Sequence, residues 1–397
     1  MIYVALRMLL GDRAKYAGLI FGITFTSFLV TFAASYFTGF MTQGFALITE
    51  NGTADVWVMD PTVSSVEQTT NMPWWALGRV RSVPGVQSAV PLLLGTAQAR
   101  FPNGRFQPFQ VIGVDDAILS GLPPLRNGIS PLALRTPDAV AVDSGGTSGK
   151  LDTPLRVSDQ WPYGSPHLHV PTRELAPDDE LFVNDHRVVV VGRSEGLPRY
   201  PPRPLLYTTL SNATRILLPE RRQLTFVLAT GTPGVSPHEL ATRIAASTGL
   251  RARSTADFKA DTVRWILVNS EDVGDIAAML TMAMSVGFGV TGVMLYMFTQ
   301  ENLRQYAVLS AMGTTPRVLL SMIFAQAGLC ALIGTGLGIG LCGIAGELAE
   351  MAGYPFRIMW FTPFLGSMMV LIVSVVAAAL SARPVLKLQP VVVFAGR

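Results

Sequence analysis

The stretch ENLRQYAVLSAMGTTPRVLL, residues 301–320, separates two long apolar runs at 276–298 and 318–346. Gly313 is a natural helix end, and Thr315-Pro316 is typical of an N-cap followed by a proline in the first helical turn. The pattern therefore predicts a short helix that ends at Gly313 and a long apolar helix that begins directly after it.

The short helix has one distinct face. Leu303, Tyr306, Ala307 and Ser310 follow the i, i+3, i+4, i+7 spacing of a helix that packs on one side. We call residues 301–313 the foot. Because it is tied directly to two apolar segments, it could carry force from a cytoplasmic partner into the membrane. The spacing equally allows an interfacial helix that only lies on lipid.

The composition indicates a membrane protein. Of 397 residues, 49% are hydrophobic and only 14% are charged, whereas about a quarter of a soluble domain is charged. Four segments contain no Asp, Glu, Lys or Arg, namely 17–40, 276–298, 318–346 and 358–382. Each exceeds the roughly 20 residues that a helix needs to cross a bilayer. The first exceeds the apolar core of a signal peptide, about 7–15 residues, so we interpret it as a retained anchor.

Basic residues near the segment ends predict the orientation, because they favour the cytoplasmic side. They precede the first segment, lie between the second and third, and follow the fourth: Arg7, Arg13 and Lys15; Arg304 and Arg317; Arg383, Lys387 and Arg397. The short loop between the third and fourth segments has two glutamates and one arginine. Both termini and the foot are therefore predicted in the cytoplasm. The large segment 41–271 is predicted outside, which is the periplasm if the cell is Gram-negative.

The large segment has the pattern of an α+β domain of ordinary size. Strands are predicted at 55–60, 109–115 and 224–231, a helix, turn and long strand at 74–100, and a hairpin turn at Asn184-Asp185. A helix is predicted from the N-cap Ser236, with Pro237 first, Glu239 completing a capping box and Gly249 as its stop. A further helix is predicted at 256–270. We interpret the domain as a lobe from 45–115 and 220–270 with a β-rich insertion at 116–219.

The fold class is thus a polytopic α-helical membrane protein with four transmembrane helices and a large extracytoplasmic α+β domain between the first two. The predicted order is a cytoplasmic amphipathic N-terminal helix (1–16), the first span (17–42), the extracytoplasmic domain (43–270), the second span (271–299), a cytoplasmic coupling helix (300–316), the third span (317–346), a short periplasmic loop (347–357), the fourth span (358–382) and a cytoplasmic tail (383–397).

The sequence offers no energy source and no catalytic set. A G-x-x-x-x-G-K-[ST] phosphate loop is absent, and the apolar segments hold no ionisable residue of the kind that ion-coupled carriers use. HELAT at 238–242 lacks the second histidine of a zinc protease, and Ser148 lacks the spacing of a nucleophile elbow. His167 and His169 favour a loop over a metal site. We predict no catalytic residue and no metal site.

Other features are interpreted as structural. Cys330 and Cys342 both lie in the third apolar segment and form no disulfide framework. The net charge of +3 does not favour nucleic acid. In the same segment, Gly336 and Gly340 have the spacing of a small-xxx-small helix contact, and we predict that they pack against another span.

Three patches resemble the permeases of the type VII ABC superfamily, which includes the MacB, LolC/LolE, FtsX and DevC proteins. They are YVALRMLLGDRAKYAGLIFGITFTSFLV (3–30), TQENLRQYAVLSAMGTTPRVLL (299–320) and ALSARPVLKLQPVVVFAGR (379–397). They are similar to the N-terminal helix with the first span, the coupling-helix segment and the closing segment of that family. VRSVPGVQSAVP and FQVIGVDD are similar to its first extracytoplasmic lobe. The length and the lack of a fused ATPase make the chain most similar to the DevC subgroup.

The resemblance implies a partner set and a contact surface. It implies Porter-like and Sabre-like lobes, a dimer of permeases, and a separate ABC ATPase that binds ATP and Mg, with no cofactor on this chain itself. The resemblance places this chain in the inner membrane of the cell, with a periplasmic adaptor and an outer-membrane channel as further partners of the complex. The implied ATPase contact consists of Glu301, Asn302, Leu303, Arg304, Tyr306, Ala307, Leu309, Met312 and Gly313.

The function expected from this resemblance is that of a membrane permease subunit of an ABC export or extrusion complex, which couples ATP hydrolysis to periplasmic motion (mechanotransmission). One alternative is a non-transporting, FtsX-like regulator that switches a periplasmic enzyme. Another is a membrane-anchored periplasmic enzyme, for which the sequence offers no catalytic set.

Overall fold

The computed structural model describes residues 13–162 and 164–383, without the side chains of residues 13–15 and 221. The predictions for residues 1–12 and 384–397 lie outside this range. The chain divides into two compact units. The helical unit comprises the chain up to Phe40 and from Glu271 onward, and the sheet domain comprises Met41–Ser270.

The described helices, apart from short 3-10 turns, follow in chain order. They are α1 (Arg13–Gly44), α2 (Ala46–Glu50), α3 (Trp75–Arg81), α4 (Leu210–Ile216), α5 (Pro237–Thr248), α6 (Thr255–Asn269), α7 (Glu271–Glu301), α8 (Leu303–Ala311), α9 (Pro316–Met351) and α10 (Phe361–Ser381). Four of them, α1, α7, α9 and α10, are long and apolar enough to cross a membrane. This confirms the four predicted transmembrane helices, while their limits within the bilayer stay predictions.

The described strands all belong to the sheet domain. They are β1 (Val56–Met59), β2 (Val86–Arg100), β3 (Phe106–Val114), β4 (Ala139–Asp143), β5 (Asp152–Pro154), β6 (Thr172–Glu174), β7 (Glu180–Val183), β8 (His186–Arg193), β9 (Leu205–Thr209), β10 (Phe226–Gly231) and β11 (Arg251–Ser254). Nine of them form one mixed sheet in the order β11-β1-β10-β2-β3-β9-β4-β8-β7, and β5 and β6 pair separately.

The sheet is partly closed on itself. The long strand β2 pairs with β3 over most of its length, and its last residues, Ala99 and Arg100, also pair with Val183 and Phe182 of β7. The six strands β2, β3, β9, β4, β8 and β7 therefore form a ring of hydrogen-bonded neighbours, which we call the strand ring. Closure removes two exposed sheet edges, which would otherwise be open to aberrant pairing.

Both faces of the sheet are buried. In β9, Leu205 and Tyr207 belong to one core cluster while Leu206 belongs to another, as the two-residue period of a strand requires. On the first face, Trp57 packs edge-on to Phe226 with ring centroids 5.3 Å apart. Phe258 of α6 completes this aromatic group, with its centroid 5.5 Å from that of Trp57.

Local signals in the sequence predicted the elements of the sheet domain well. Asn184 and Asp185 both have positive φ, which confirms a tight hairpin turn between β7 and β8. Ser236 accepts a hydrogen bond from the Glu239 N–H at 3.2 Å, and Gly249 ends α5 with φ 72°. The predicted capping box needs one correction. The Glu239 carboxylate, which would complete the box, pairs with Arg243 instead.

Glycines allow close packing around α1 in the helical unit. An added Cβ at Gly287 of α7, at Gly338 of α9 or at Gly366 of α10 would lie within 2.3–2.5 Å of an α1 side chain. Gly334 of α9 makes a similar approach, 2.7 Å from Ile23. In a membrane such close approaches supply the van der Waals contact that holds helices together.

The packing prediction for Gly336 and Gly340 is therefore wrong within this chain. Both are exposed, and an added Cβ at either would meet nothing within 4 Å among the described residues. Two residues turn an α-helix by roughly 200°, so the pair Gly334 and Gly338 faces α1 while the predicted pair faces away.

Candidate functional site

The foot joins α7 without a flexible linker. Asn302 is the single residue between α7 and α8, and its side-chain amide donates to the Phe298 carbonyl at 2.8 Å. The Asn302 carbonyl in turn accepts from the N–H groups of Gln305 and Tyr306, at 3.0 and 3.1 Å. One asparagine thus satisfies the end of one helix and starts the next, as helix termini require.

The other end of the foot is equally well defined. Gly313 has φ +92°, its N–H donates to the Ser310 carbonyl at 3.0 Å, and the Thr314 N–H donates to Leu309 at 3.1 Å. These two bonds form a Schellman motif, in which a left-handed residue satisfies the last helical carbonyls. Thr315 then precedes Pro316, the first residue of α9, although its side chain makes no capping hydrogen bond.

The inner face of the foot is fastened to the helical unit. Tyr306 is 0% exposed and packs in the cluster that contains Phe298 of α7 and Met322 of α9. Its hydroxyl donates to the Gln326 side-chain oxygen at 3.0 Å. Gln326 is itself only 2% exposed and lies ten residues into α9. The tyrosine therefore attaches the foot to the interior of the third membrane helix.

Burial keeps the Tyr306 hydroxyl in one protonation state. Burial raises the pKa of Tyr306 to about 12. The hydroxyl therefore stays protonated and remains a donor at neutral pH. Because a buried donor or acceptor without a partner is costly, the pair holds the foot in a single position.

The outer face of the foot is open. Arg304, Val308 and Met312 are exposed and follow at i, i+4 and i+8, so they form one stripe along α8. The side chain of Val308 is 44% exposed and that of Met312 is 70% exposed. Gln305 and Ala311 border this stripe and are exposed as well. The surface combines a cation with two apolar side chains, a composition suited to a protein contact.

The structure divides the predicted contact residues into three groups. Exposed are Glu301, Arg304, Met312 and Gly313; partly buried are Asn302, Leu303 and Leu309; fully buried are Tyr306 and Ala307. The expectation that Tyr306 and Ala307 touch a partner needs correction, because the interior of their own unit covers them. Sequence reasoning missed Gln305, Val308 and Ala311, although the side of α8 opposite the predicted packing face points to them.

The histidines considered for catalysis or metal binding are partly or fully exposed. His238 is exposed and lies 3.4 Å from Asp257, between ring Nδ1 and carboxylate Oδ2. His167 and His169 lie in an irregular segment. Within residues 13–162 and 164–383, no group of three or more His, Cys, Asp or Glu side chains is placed to hold a metal ion.

Comparison with known families identifies the C-terminal part of the chain. Residues 277–390 match the model of the FtsX-like permease C-terminal family. This region includes the foot and the second, third and fourth membrane helices. The match supports the resemblance for this part of the chain, while the superfamily of the whole chain and the DevC subgroup stay predictions. No curated protein sequence matches the chain significantly.

Two solved structures are similar to the chain at low identity. The extracellular domain of the noncanonic ABC-type transporter YknZ from Gram-positive bacteria shares 11% identity, with 51% of this chain and 98% of that domain covered and a TM-score of 0.31. The periplasmic region of MacB from Actinobacillus actinomycetemcomitans also shares 11% identity, with 56% and 96% covered and a TM-score of 0.35.

Proposed function

We propose that this chain is an FtsX-like permease of the type VII ABC superfamily and the membrane subunit of an export or extrusion complex driven by a separate ABC ATPase. ATP and Mg would bind to that ATPase. The permease would convert closure of the ATPase into motion of the sheet domain. We place the sheet domain in the periplasm and both termini in the cytoplasm. A second permease copy and a periplasmic adaptor are further partners of the proposal.

One observation carries this proposal: the inner face of the foot is packed and hydrogen-bonded to the helical unit, and its outer face is exposed. Its two ends continue into α7 and α9 through Asn302 and Gly313, and Tyr306 fastens it to Gln326. A load applied to the stripe of Arg304, Val308 and Met312 would therefore move two membrane helices together. A helix that only lies on lipid has no need of a polar lock that buries both partners.

Charge insertion into the stripe tests the proposal. Val308→Glu and Met312→Glu place a carboxylate in the apolar part of the surface, where it would lose its water in a complex. We expect the full-length variants to fold but to lose the co-purifying ATPase and its permease-dependent activity. Met351→Glu is the matched control, because Met351 is 83% exposed at the opposite end of α9. Equal ATPase recovery with all three variants would refute the proposed contact.

The export function and a regulatory function share this coupling and differ in what the sheet domain contacts. Export implies an adaptor bound to the sheet domain, whereas an FtsX-like regulator would bind and switch a periplasmic enzyme. Cross-linking of the full-length protein in cells, followed by identification of its periplasmic partner, separates the two. An adaptor would support export, and a cell-wall hydrolase would support regulation.

A further inference from the structure

A buried carboxylate lies at the end of α2, within the sheet domain. Glu50 accepts the Leu197 N–H at 2.7 Å through Oε1 and the Tyr207 hydroxyl at 2.9 Å through Oε2. It also forms an ion pair with Arg199, and both side chains of that pair are buried. The guanidinium Nη2 of Arg199 reaches the Tyr207 hydroxyl as well, at 2.9 Å. Three donors therefore converge on one side chain.

These partners belong to the strand ring and to the loop that enters it. Tyr207 lies in β9, between β3 and β4. Leu197 and Arg199 lie in the loop from β8 to β9. Asp143 of β4 fixes the start of this loop by accepting from the Gly196 N–H at 2.7 Å. The Arg199 N–H donates to the Gly145 carbonyl, at 3.1 Å, and so fastens the middle of the loop. The residues that bind the Glu50 carboxylate are thus themselves fixed to the strand ring by hydrogen bonds.

The chain around Glu50 is connected to the first two membrane helices. α2 begins two residues after Gly44, the last residue of α1, and α6 ends two residues before α7 begins. The two connectors pack together, because Ile48 of α2 shares a core cluster with Phe258 of α6. Gly44 approaches the same helix, since a Cβ there would lie 2.4 Å from Ile266 Cδ1. A displacement of α1 or α7 would therefore move α2 and α6, which pack against each other.

The buried ion pair between Glu50 and Arg199 is not explained by a contribution to stability. Burying two charges costs solvation free energy that their attraction does not always recover. Here Nε and Nη1 of Arg199 are buried without a hydrogen-bond partner among the described residues. Apolar side chains of similar size would fill the same space. The ion pair adds a directional contact, because a hydrogen bond weakens steeply when its angle departs from linearity.

We propose that Glu50, Arg199 and Tyr207 form a relay that transmits displacement of α2 and α6 to the strand ring. The inference rests on the proposed function, since the displacement originates at the foot. It assigns a positioning role to three side chains of the sheet domain, which is distinct from the surface that would contact the ATPase. Movement of α2 would pull β9 and the β8–β9 loop through one carboxylate.

The test measures motion inside the sheet domain of the full-length permease, purified with its ATPase in lipid nanodiscs. Cysteines introduced at Ala246 of α5 and His186 of β8 are exposed positions for spin labels. The two native cysteines are both buried. We expect ATP to shift the distance between the labels in the wild type. The shift should be lost in Glu50→Leu/Arg199→Met and reduced in Tyr207→Phe.

The controls separate transmission from folding. Glu67→Gln breaks the ion pair with Arg203 at the end of the same loop, where both side chains are partly exposed, and should leave the ATP-dependent shift unchanged. If the double variant does not fold, Tyr207→Phe decides, because it removes only one hydroxyl. A wild-type shift in a folded Tyr207→Phe or double variant would overturn the relay.

The outcomes also distinguish the relay from the function on which it rests. A relay variant that retains ATPase binding and activity but loses the distance shift supports the inference. An ATP-responsive complex whose sheet domain shows no distance change even in the wild type overturns the relay alone. Failure to recover any ATPase with the wild-type protein overturns the proposed function, and the relay falls with it.

Discussion

The hydrogen bond between Tyr306 and Gln326 gives a quantitative prediction about the foot. Tyr306→Phe removes the hydroxyl and leaves the side-chain oxygen of the buried glutamine without this donor, at 3.0 Å in the wild type. Loss of a buried partner costs about 1–3 kcal/mol in soluble proteins, whereas interhelical hydrogen bonds in membranes average about 0.6 kcal/mol. The contact lies between these settings, so we expect a coupling free energy of about 1 kcal/mol.

A double-mutant cycle measures that coupling. Tyr306→Phe, Gln326→Leu and the double variant are compared with the wild type by reversible unfolding of the full-length protein in bicelles. The double variant should be less destabilised than the sum of the single variants, by about 1 kcal/mol. Tyr296→Phe is the control: Tyr296 is half-exposed on α7, and surface changes of this kind usually stay within about 0.5 kcal/mol.

The same variants should change the behaviour of the foot. Hydrogen exchange of the amides in α8 should become faster in Tyr306→Phe by up to about fivefold, which is what about 1 kcal/mol gives. Strict additivity, within about 0.3–0.5 kcal/mol, together with unchanged exchange would refute the reasoning. In that case the buried pair would not hold the foot to the third membrane helix.

Three further predictions concern other parts of the fold. Gly313→Ala puts a Cβ at φ +92°, which costs about 1–2 kcal/mol, and should weaken permease-stimulated ATPase activity. Gly338→Val should destabilise the helical unit in bicelle unfolding, whereas Gly340→Val should leave the monomer unchanged, because only the first glycine packs against α1. Although burial alone would raise it, hydrogen bonds from Arg173 and a backbone N–H lower the pKa of Asp179 below its ordinary value. This pair therefore contributes stability above pH ~4 that is lost as the pH falls through the depressed pKa, and Asp179→Asn should flatten the acid limb of a stability–pH curve.

Sequence reasoning succeeded where a local signal has one solution. A charge-free segment longer than a bilayer has little alternative to a membrane helix, and Asn184-Asp185 between two β-rich runs favours a tight turn. In the foot, Gly313 marked the left-handed helix end, and the spacing of Tyr306 and Ala307 identified the buried face.

The sequence does not resolve contacts that depend on helix phase. Glycines stand at 334, 336, 338 and 340, so two pairs with the same four-residue spacing lie on opposite sides of α9. The helix is apolar on all sides around these glycines, and no polar face indicates which pair is buried. The exposed stripe of the foot was not predicted for a different reason. The helical spacing identified the packing face, and Val308 lies on the opposite side of the helix.

Polar contacts between residues far apart in the sequence could not be predicted either. Glu50 and Arg199 are 149 residues apart, and neither has a local pattern that marks it as buried. Closure of the strand ring likewise depends on the last two residues of β2, which belong to an ordinary alternating strand. Such contacts follow from the assembled topology, and single-residue propensities carry no information about them.

Site-specific cross-linking at the foot tests the central claim most directly. A photo-reactive residue at Met312, or at Met351 as the matched exposed position at the far end of α9, is introduced into the full-length protein in intact cells. The account predicts that position 312 cross-links to an ABC ATPase and position 351 does not. Absence of any ATPase at position 312, or equal cross-linking at both positions, would contradict it.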